Sequence, residues 1–332
     1  MQIVSRRALA RISVLLLLLA GSGCAYWWFF LRMPGESHTG PVGTPAPTLA
    51  EELRADVEAL AGEFGPRGVF YPQAQRRAGD WIAAQLQRAG YEPGRQPVTA
   101  MGETFDNIEA ERPGNEEIVV IGAHYDTASD SPGANDNASG VAATLALARR
   151  FADRPTRRTL RFVLFTNEEP PFFATDDMGS AHYARRCKER GENVFLMISL
   201  ETIGYFSDEE NSQEFPLATL EKLYGNRGNF IAFVGNVATH RMTYRAVDVF
   251  RAKAEIPSHG TTLPALVQGV DWSDHRCFWE QGYRAFMVTD TAPFRYPHYH
   301  ERTDTPDKLH YDKLALVVEG MEHVIEDLVN GE

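Results

Sequence analysis

The chain has 332 residues, 43% of them hydrophobic, with a formal net charge of −12 at pH 7. That is apolar material for one large domain or two small ones, and an acidic balance with no basic stripe argues against nucleic acid as a partner. Three cysteines are too few for a disulfide scaffold.

Arg6, Arg7 and Arg11 precede an uncharged run from 12 to 31 that holds Leu15 to Leu19 and the aromatic block 26–30. Its length suits one membrane-spanning helix, and the basic residues before it put 1–11 in the cytoplasm and the rest outside. A cleaved signal peptide has a shorter apolar core and no trailing aromatic block. A lipoprotein would use Cys24 after Gly21-Ser22-Gly23, where Gly21 replaces the usual Leu. The expectation is an uncleaved, single-pass anchor over 12–31, with the folded domain on the periplasmic or extracellular side. Residues 32–47, rich in Pro and Gly, read as a linker, and 48–332 as the domain.

The domain opens with the capping-box pattern Thr48-Leu49-Ala50-Glu51 before an amphipathic helix reaching about Phe64. A second helix runs from about Gln73 to Ala89 and stops at Gly90. Strands follow near 98–101 and 105–111. Residues 118–123 are a short continuous apolar run of Ile and Val, the pattern of a strand buried on both faces of a parallel sheet. A helix over 138–151, a strand over 159–166, a helix over 179–190 and a strand over 194–200 come next. Beyond them are a strand at 229–234, a helix at 239–254, a strand at 285–289 and a terminal helix over 306–329. The alternation predicts an α/β fold: a mixed, mostly parallel central sheet with helices on both faces.

Three buried strands end in metal-competent groups. The first ends in His124 and Asp126, two residues apart and so on one face of an extended chain. The second ends in Glu168-Glu169, and the third in Glu201. Two acidic residues in a loop are commonly just solvated. Adjacent carboxylates at the end of a buried strand, however, are costly unless something pairs with them. Ligands bind at such strand ends in open α/β sheets, and imidazole with carboxylates suits zinc.

The ordered set His124-x-Asp126, Asp136, Glu168-Glu169, Glu201 and His300-x-x-x-Asp304-Thr305 resembles the co-catalytic zinc peptidases of metallopeptidase family 28, which includes leucyl aminopeptidases and glutamate carboxypeptidases. Asn135-Asp136-Asn137-Ala138-Ser139-Gly140, Gly179-Ser180 with Tyr183-Ala184, and Ser273-Asp274-His275 add to the match, which covers roughly residues 50 to 330. A related zinc peptidase family inserts a lid domain before its final His, and the stretch from Glu201 to His300 is too short for one. The resemblance implies two zinc ions: His124 and Glu201 on one, Glu169 and His300 on the other, Asp136 bridging. It implies Asp126 as the carboxylate orienting His124, Glu168 as general base, and Tyr299 as a donor to the oxyanion. Glu201 departs from the pattern, since the family most often has Asp there, one methylene shorter.

The remaining candidates take plainer readings. His298 suits a supporting or substrate contact better than ligation, His275 a structural hydrogen bond, and His182, His240, His259 and His310 surface or helix positions. Cys187 and Cys277 either pair or stay as two buried thiols. Aromatic residues between 278 and 299 serve a substrate pocket or, for most of them, the core. The leading expectation is a membrane-anchored zinc aminopeptidase acting on peptides. The alternatives are a glutaminyl cyclase-like acyltransferase with a single zinc, a carboxypeptidase needing Arg295 or Arg302 in its pocket, and a non-catalytic receptor domain. Nothing in the chain specifies an oligomeric state.

Overall fold

The computed structural model describes residues 6–26 and 31–331. Helix α1, Arg6–Tyr26, holds the described part of the apolar N-terminal run and leaves Leu15 to Leu19 exposed. No helix among the described residues is long and apolar enough to cross a membrane. The expected span over 12–31 also includes 27–30, which lie outside the described residues.

The domain is built on one eight-stranded sheet in the order β1-β2-β4-β3-β5-β8-β6-β7. The strands are β1 Gly94–Ala100, β2 Glu103–Arg112, β3 Asn115–His124, β4 Arg158–Phe165, β5 Asn193–Glu201, β6 Ile231–Gly235, β7 Ser258–Thr262 and β8 Ala285–Thr289. The central run β4-β3-β5-β8 is parallel, β1, β2 and β4 pair antiparallel, and β6 joins antiparallel to β8 and parallel to β7. This is the mixed, mostly parallel sheet expected.

The alternation along β3 shows why its sequence is apolar throughout. Val119, Ile121 and Ala123 enter the main core, while Ile118 and Val120 enter a second core on the opposite face. The main core is supplied by α2 Pro47–Val57 with its wider-turned continuation Glu58–Phe64, α3 Pro72–Arg88, α4 Gly140–Phe151, α7 His240–Lys253 and α9 Tyr311–Asn330. On the other face lie α5 Gly179–Glu189 and α8 His275–Glu280. Each fully buried Leu, Ile or Val in these layers contributes roughly 1.5–3 kcal/mol against exposure. The sheet is thereby held stiffly, with the C-terminal ends of β4, β3 and β5 together at one edge.

Three elements carried no readable signal. Strand β7, Ser-His-Gly-Thr-Thr, has no large apolar residue. Helices α6 Ala218–Tyr224 and α8 span only two turns or less. The terminal helix begins at Tyr311 rather than 306, because Pro306–Lys308 forms a separate 3-10 turn. The Pro/Gly-rich stretch before α2 has no regular structure but is fastened to the domain: Met33 is buried, and Ala46 N–H donates to Glu319. Cys187 and Cys277 are free, buried thiols.

Candidate metal centre

The adjacency of β4, β3 and β5 brings the three strand ends to one place. His124 ends β3, Glu168 and Glu169 follow β4, and Glu201 ends β5. Asp136 reaches in from the loop before α4, and His300 from the loop after β8. Asn167 (φ 58°), Thr202 (φ 44°) and His300 (φ 60°) have left-handed backbones beside or within the site, a strain that non-glycine residues hold only where the surroundings fix it.

The contacts fall into two groups around one carboxylate. His124 Nε2 is 3.3 Å from Asp136 Oδ1 and 3.2 Å from Glu201 Oε2. His300 Nε2 is 3.1 Å from Asp136 Oδ2 and 3.3 Å from Glu169 Oε2. Glu168 stands off, its Oε2 3.9 Å from His124 Nε2. All except the half-buried His300 are withdrawn from solvent.

Asp126 acts largely on the loop that carries the glutamates. Its Oδ1 and Oδ2 accept from the N–H groups of Glu168 and Glu169, each at 3.0 Å. Its backbone oxygen is 3.2 Å from His124 Nδ1, while its carboxylate approaches that nitrogen at 3.6 Å. The Asp136 loop is fixed by Asp304, which accepts from Asn135 N and Asp136 N at 2.8 and 3.1 Å and from the Tyr296 hydroxyl at 2.7 Å. Ser273 Oγ donates to Glu201 Oε2 at 2.8 Å. Gly140 lets α4 start against β5, since a Cβ there would come within 2.3 Å of Leu200 O.

Charge is out of balance in this space. Burial pushes Glu168 well above the usual carboxylate range and Glu169 up to about 8, with Asp136 adding to the latter. Burial alone would lower His124, but Glu201 and Glu168 reverse this and hold it well above its ordinary value. Burial likewise opposes protonation of His300, yet Asp136 and Glu169 raise it to about 11. At Asp136 burial is outweighed by the two imidazoles, and the carboxyl falls below its usual range. Asp136 Oδ2 and Glu169 Oε1 are buried without a hydrogen-bond donor. His124, Asp136 and Glu169 offer ligand atoms all within 4.8 Å of one another. The orphaned Asp136 Oδ2, facing His300 Nε2, and the orphaned Glu169 Oε1, buried among carboxylates and imidazoles, fit a cation of the zinc type.

A cavity partly open to solvent adjoins the centre at Glu201 and Tyr299. Its walls are largely apolar, with Phe215, Phe230, Leu263, Trp272, Met287 and Phe294 among them. Tyr299 stacks on His300 with ring centroids 3.8 Å apart. Burial, then the carboxylates of Asp136, Glu169, Glu201 and Glu168, drives its phenol well above the ordinary value, so it stays a neutral donor.

Several expectations change here. His259, read as a surface or helix residue, lies on β7 in the cavity wall, and burial brings its imidazole down to about 3. His298 bonds Thr303 at 2.8 Å rather than supporting the ligand set. His275 is structural as read, 2.8 Å from Val270 O. Arg295 is buried on Gln213 and Phe230 O and does not line the cavity, while Arg302 is exposed and paired with Asp130. Arg67 was missed altogether. Fully buried, it donates to the carbonyls of Tyr125, Leu60, Gly65, Pro132 and Gly133, tying the His124–Asp136 loop to the preceding helix. A lone Arg beside Gly-Pro gave no periodic signal.

Residues 107–325 match the model of peptidase family M28, and the chain belongs to that family. It is a metallopeptidase by that membership. YfbL of Escherichia coli (strain K12), described only as uncharacterized, is 35% identical, over 84% of this chain and 88% of its own length. A probable leucine aminopeptidase of Arthroderma otae is 27% identical over 81% and 70%. Among solved structures, a zinc aminopeptidase from Bacillus subtilis superposes with a TM-score of 0.68 at 15% identity, over 85% of this chain and 95% of that one. A glutaminyl cyclase from Bacteroides thetaiotaomicron superposes at 0.62 with 17% identity, over 88% and 99%. These low identities establish a common fold.

Proposed function

We propose that the protein is a zinc aminopeptidase that removes N-terminal residues from peptides using two metal ions. The observation that carries this reading is the two-sided Asp136, with His124, itself beside Glu201, at one oxygen and His300, itself beside Glu169, at the other. A single-zinc cyclase has no need of a carboxylate held between two ligand groups. Bound in those two groups, zinc would acidify a water, polarise the scissile carbonyl and stabilise the negative charge that develops there.

The chain's own residues do the rest. Glu168, close by but outside both groups, accepts the proton of the attacking water and returns it to the leaving amine. Asp126 fixes the peptide units of both glutamates, so one side chain can ligate while its neighbour shuttles protons. The Tyr299 hydroxyl donates to the oxyanion. The acidic surroundings suit a free amino terminus, and the adjoining apolar cavity accepts the first side chain. Neither Arg295 nor Arg302 lines that cavity, so nothing there clamps a substrate carboxylate in the way a carboxypeptidase requires. A peptide panel tests the assignment. Peptides with free N-termini are cleaved, chelation abolishes cleavage and zinc restores it. Equal cleavage of N-acetylated peptides overturns the reading, and cyclisation of N-terminal Gln without hydrolysis moves the protein to the cyclase class.

The same reading places the enzyme on a membrane. The exposed apolar residues Ile12 and Val14 to Leu19, following Arg11, need cover from water, and the 12–31 run supplies the length. The full chain should stay with membranes through alkaline and high-salt washing. Release by salt alone sinks the anchor, and loss of attachment in Cys24→Ala points to a lipid instead.

A further inference from the structure

Tyr26 and residues 31–37 lie along the β7 side of the sheet. Tyr26 and Leu31 pack on the apolar cluster Leu220, Phe230, Ala232, Val234, Leu263, Val270 and Met287, and all seven of those residues line the cavity beside the metal centre. Met33 joins the core on the opposite face, so the chain crosses the β7 edge between Leu31 and Met33. It is fastened there by polar contacts. Tyr26 hydroxyl donates to Thr262 O at 3.0 Å, and Ser258 N–H donates to Ser37 Oγ at 2.8 Å. Arg251 donates to Pro34 O at 2.8 Å with one nitrogen and to Ser258 O at 2.9 Å with another.

Strand β7 needs such a clasp. Among the described residues it is the last strand of the sheet, and its small residues leave a notch at Gly260. Met33 and Val247 of α7 fill that notch together: a Cβ on residue 260 would come within 2.7 Å of Val247 Cγ2 and 2.8 Å of Met33 Cγ. The opposite face of the same five residues presents His259 and Thr261 to the cavity. There the His259 ring lies 4.7 Å from Tyr224 and 4.4 Å from Phe230, and Tyr224 in turn bonds Gly260 O at 3.0 Å.

We infer that residues 31–37 are a specificity-positioning clasp: by gripping β7 from its outer side they set the far wall of the cavity, and with it the preference for a large apolar N-terminal side chain. This rests on the aminopeptidase reading for its substrate but not for its structural content. The contacts that Leu31, Met33, Pro34 and Ser37 make lie on the cavity's apolar cluster, the core, Arg251 and Ser258, away from the candidate ligands, so the chemistry at a small substrate does not depend on them.

The test uses the full chain in detergent, loaded with zinc, with Phe- and Ala-p-nitroanilide as probes. In Met33→Ala and Leu31→Ala, kcat/KM for the Phe substrate falls about tenfold, the size expected when an apolar pocket loses its fit to one group. The fall is carried by KM, while the Ala substrate changes less than about twofold, and Met33→Leu restores the ratio. Parallel losses on both substrates, or no loss on either, overturn the clasp. Amide hydrogen exchange supplies a readout independent of activity: exchange over 258–262 quickens in the Ala variants while α9 is unchanged. Unchanged exchange at β7 overturns the inference even if the wild-type chain hydrolyses neither probe. Inactivity of the wild type on every free-amine substrate instead counts against the aminopeptidase reading.

Discussion

Glu168→Gln leaves the zinc content of the protein unchanged and lowers kcat by on the order of 10² to 10⁴, the size of a general-base contribution. The geometry separates the two adjacent glutamates. Glu169 lies 3.3 Å from His300 Nε2, among the proposed ligands, whereas Glu168 is 3.9 Å from His124 Nε2. Both backbone N–H groups are held by Asp126, so an amide at 168 keeps the loop and the side-chain shape and loses only the ability to take a proton. Glu169→Gln removes an anionic ligand instead. Its affinity for one metal drops, and added zinc partly restores turnover. Metal analysis with single-substrate kinetics on both variants decides the matter. Loss of metal in Glu168→Gln with full occupancy in Glu169→Gln would exchange the two roles, and no effect from either would reduce the pair to an acidic loop.

What could be read from the chain followed from how strongly each residue's environment constrains its type. Strand β3 is buried on both faces, so its Ile-Val run has one reading, and the same holds for β4 and β5. Their ends then bring His124, Glu168, Glu169 and Glu201 to one sheet edge, and burial makes carboxylates there conspicuous. His300 and Asp136 come from loops, where no periodicity announces a side chain's direction. Only the resemblance tied them to the strand ends. Strand β7 escaped notice because part of its packing comes from outside the sheet, through Met33. Sequence local to 258–262 cannot show a partner more than 200 residues earlier. His259 was misread because it sits on that unrecognised strand, where it faces Tyr224 and Phe230. Arg67 acts through five backbone carbonyls, a role with no complementary residue type to look for.

Asp136→Asn is the change with the widest reach, because its carboxylate faces both imidazoles. An amide keeps the side-chain shape, and the bond from residue 136 N–H to Asp304 survives. It carries one neutral oxygen where two anionic ones stood, and turns an N–H₂ toward either His124 or His300. Zinc content should fall below one ion per chain, with an affinity loss exceeding the 10- to 100-fold typical when a supporting partner of a ligand is removed. Asp126→Asn, which touches the ligands only through His124 and the glutamate loop, gives the internal comparison. The zinc dependence of the stability change discriminates further. In chelator, Asp136 is the carboxylate that His124 and His300 hold ionised, so Asp136→Asn leaves the two raised imidazoles short of a partner and lowers Tm. With zinc at about 1,000 times its Kd the wild type gains about 4 kcal/mol per site by mass action, and Asp136→Asn gains little of it. Thermal unfolding with and without zinc therefore shows a gap between the two proteins that widens when zinc is added. If Asp136→Asn binds two ions with wild-type affinity and shows the same zinc-dependent rise in Tm, Asp136 is not the bridge, and the two ligand groups are independent sites or one site only.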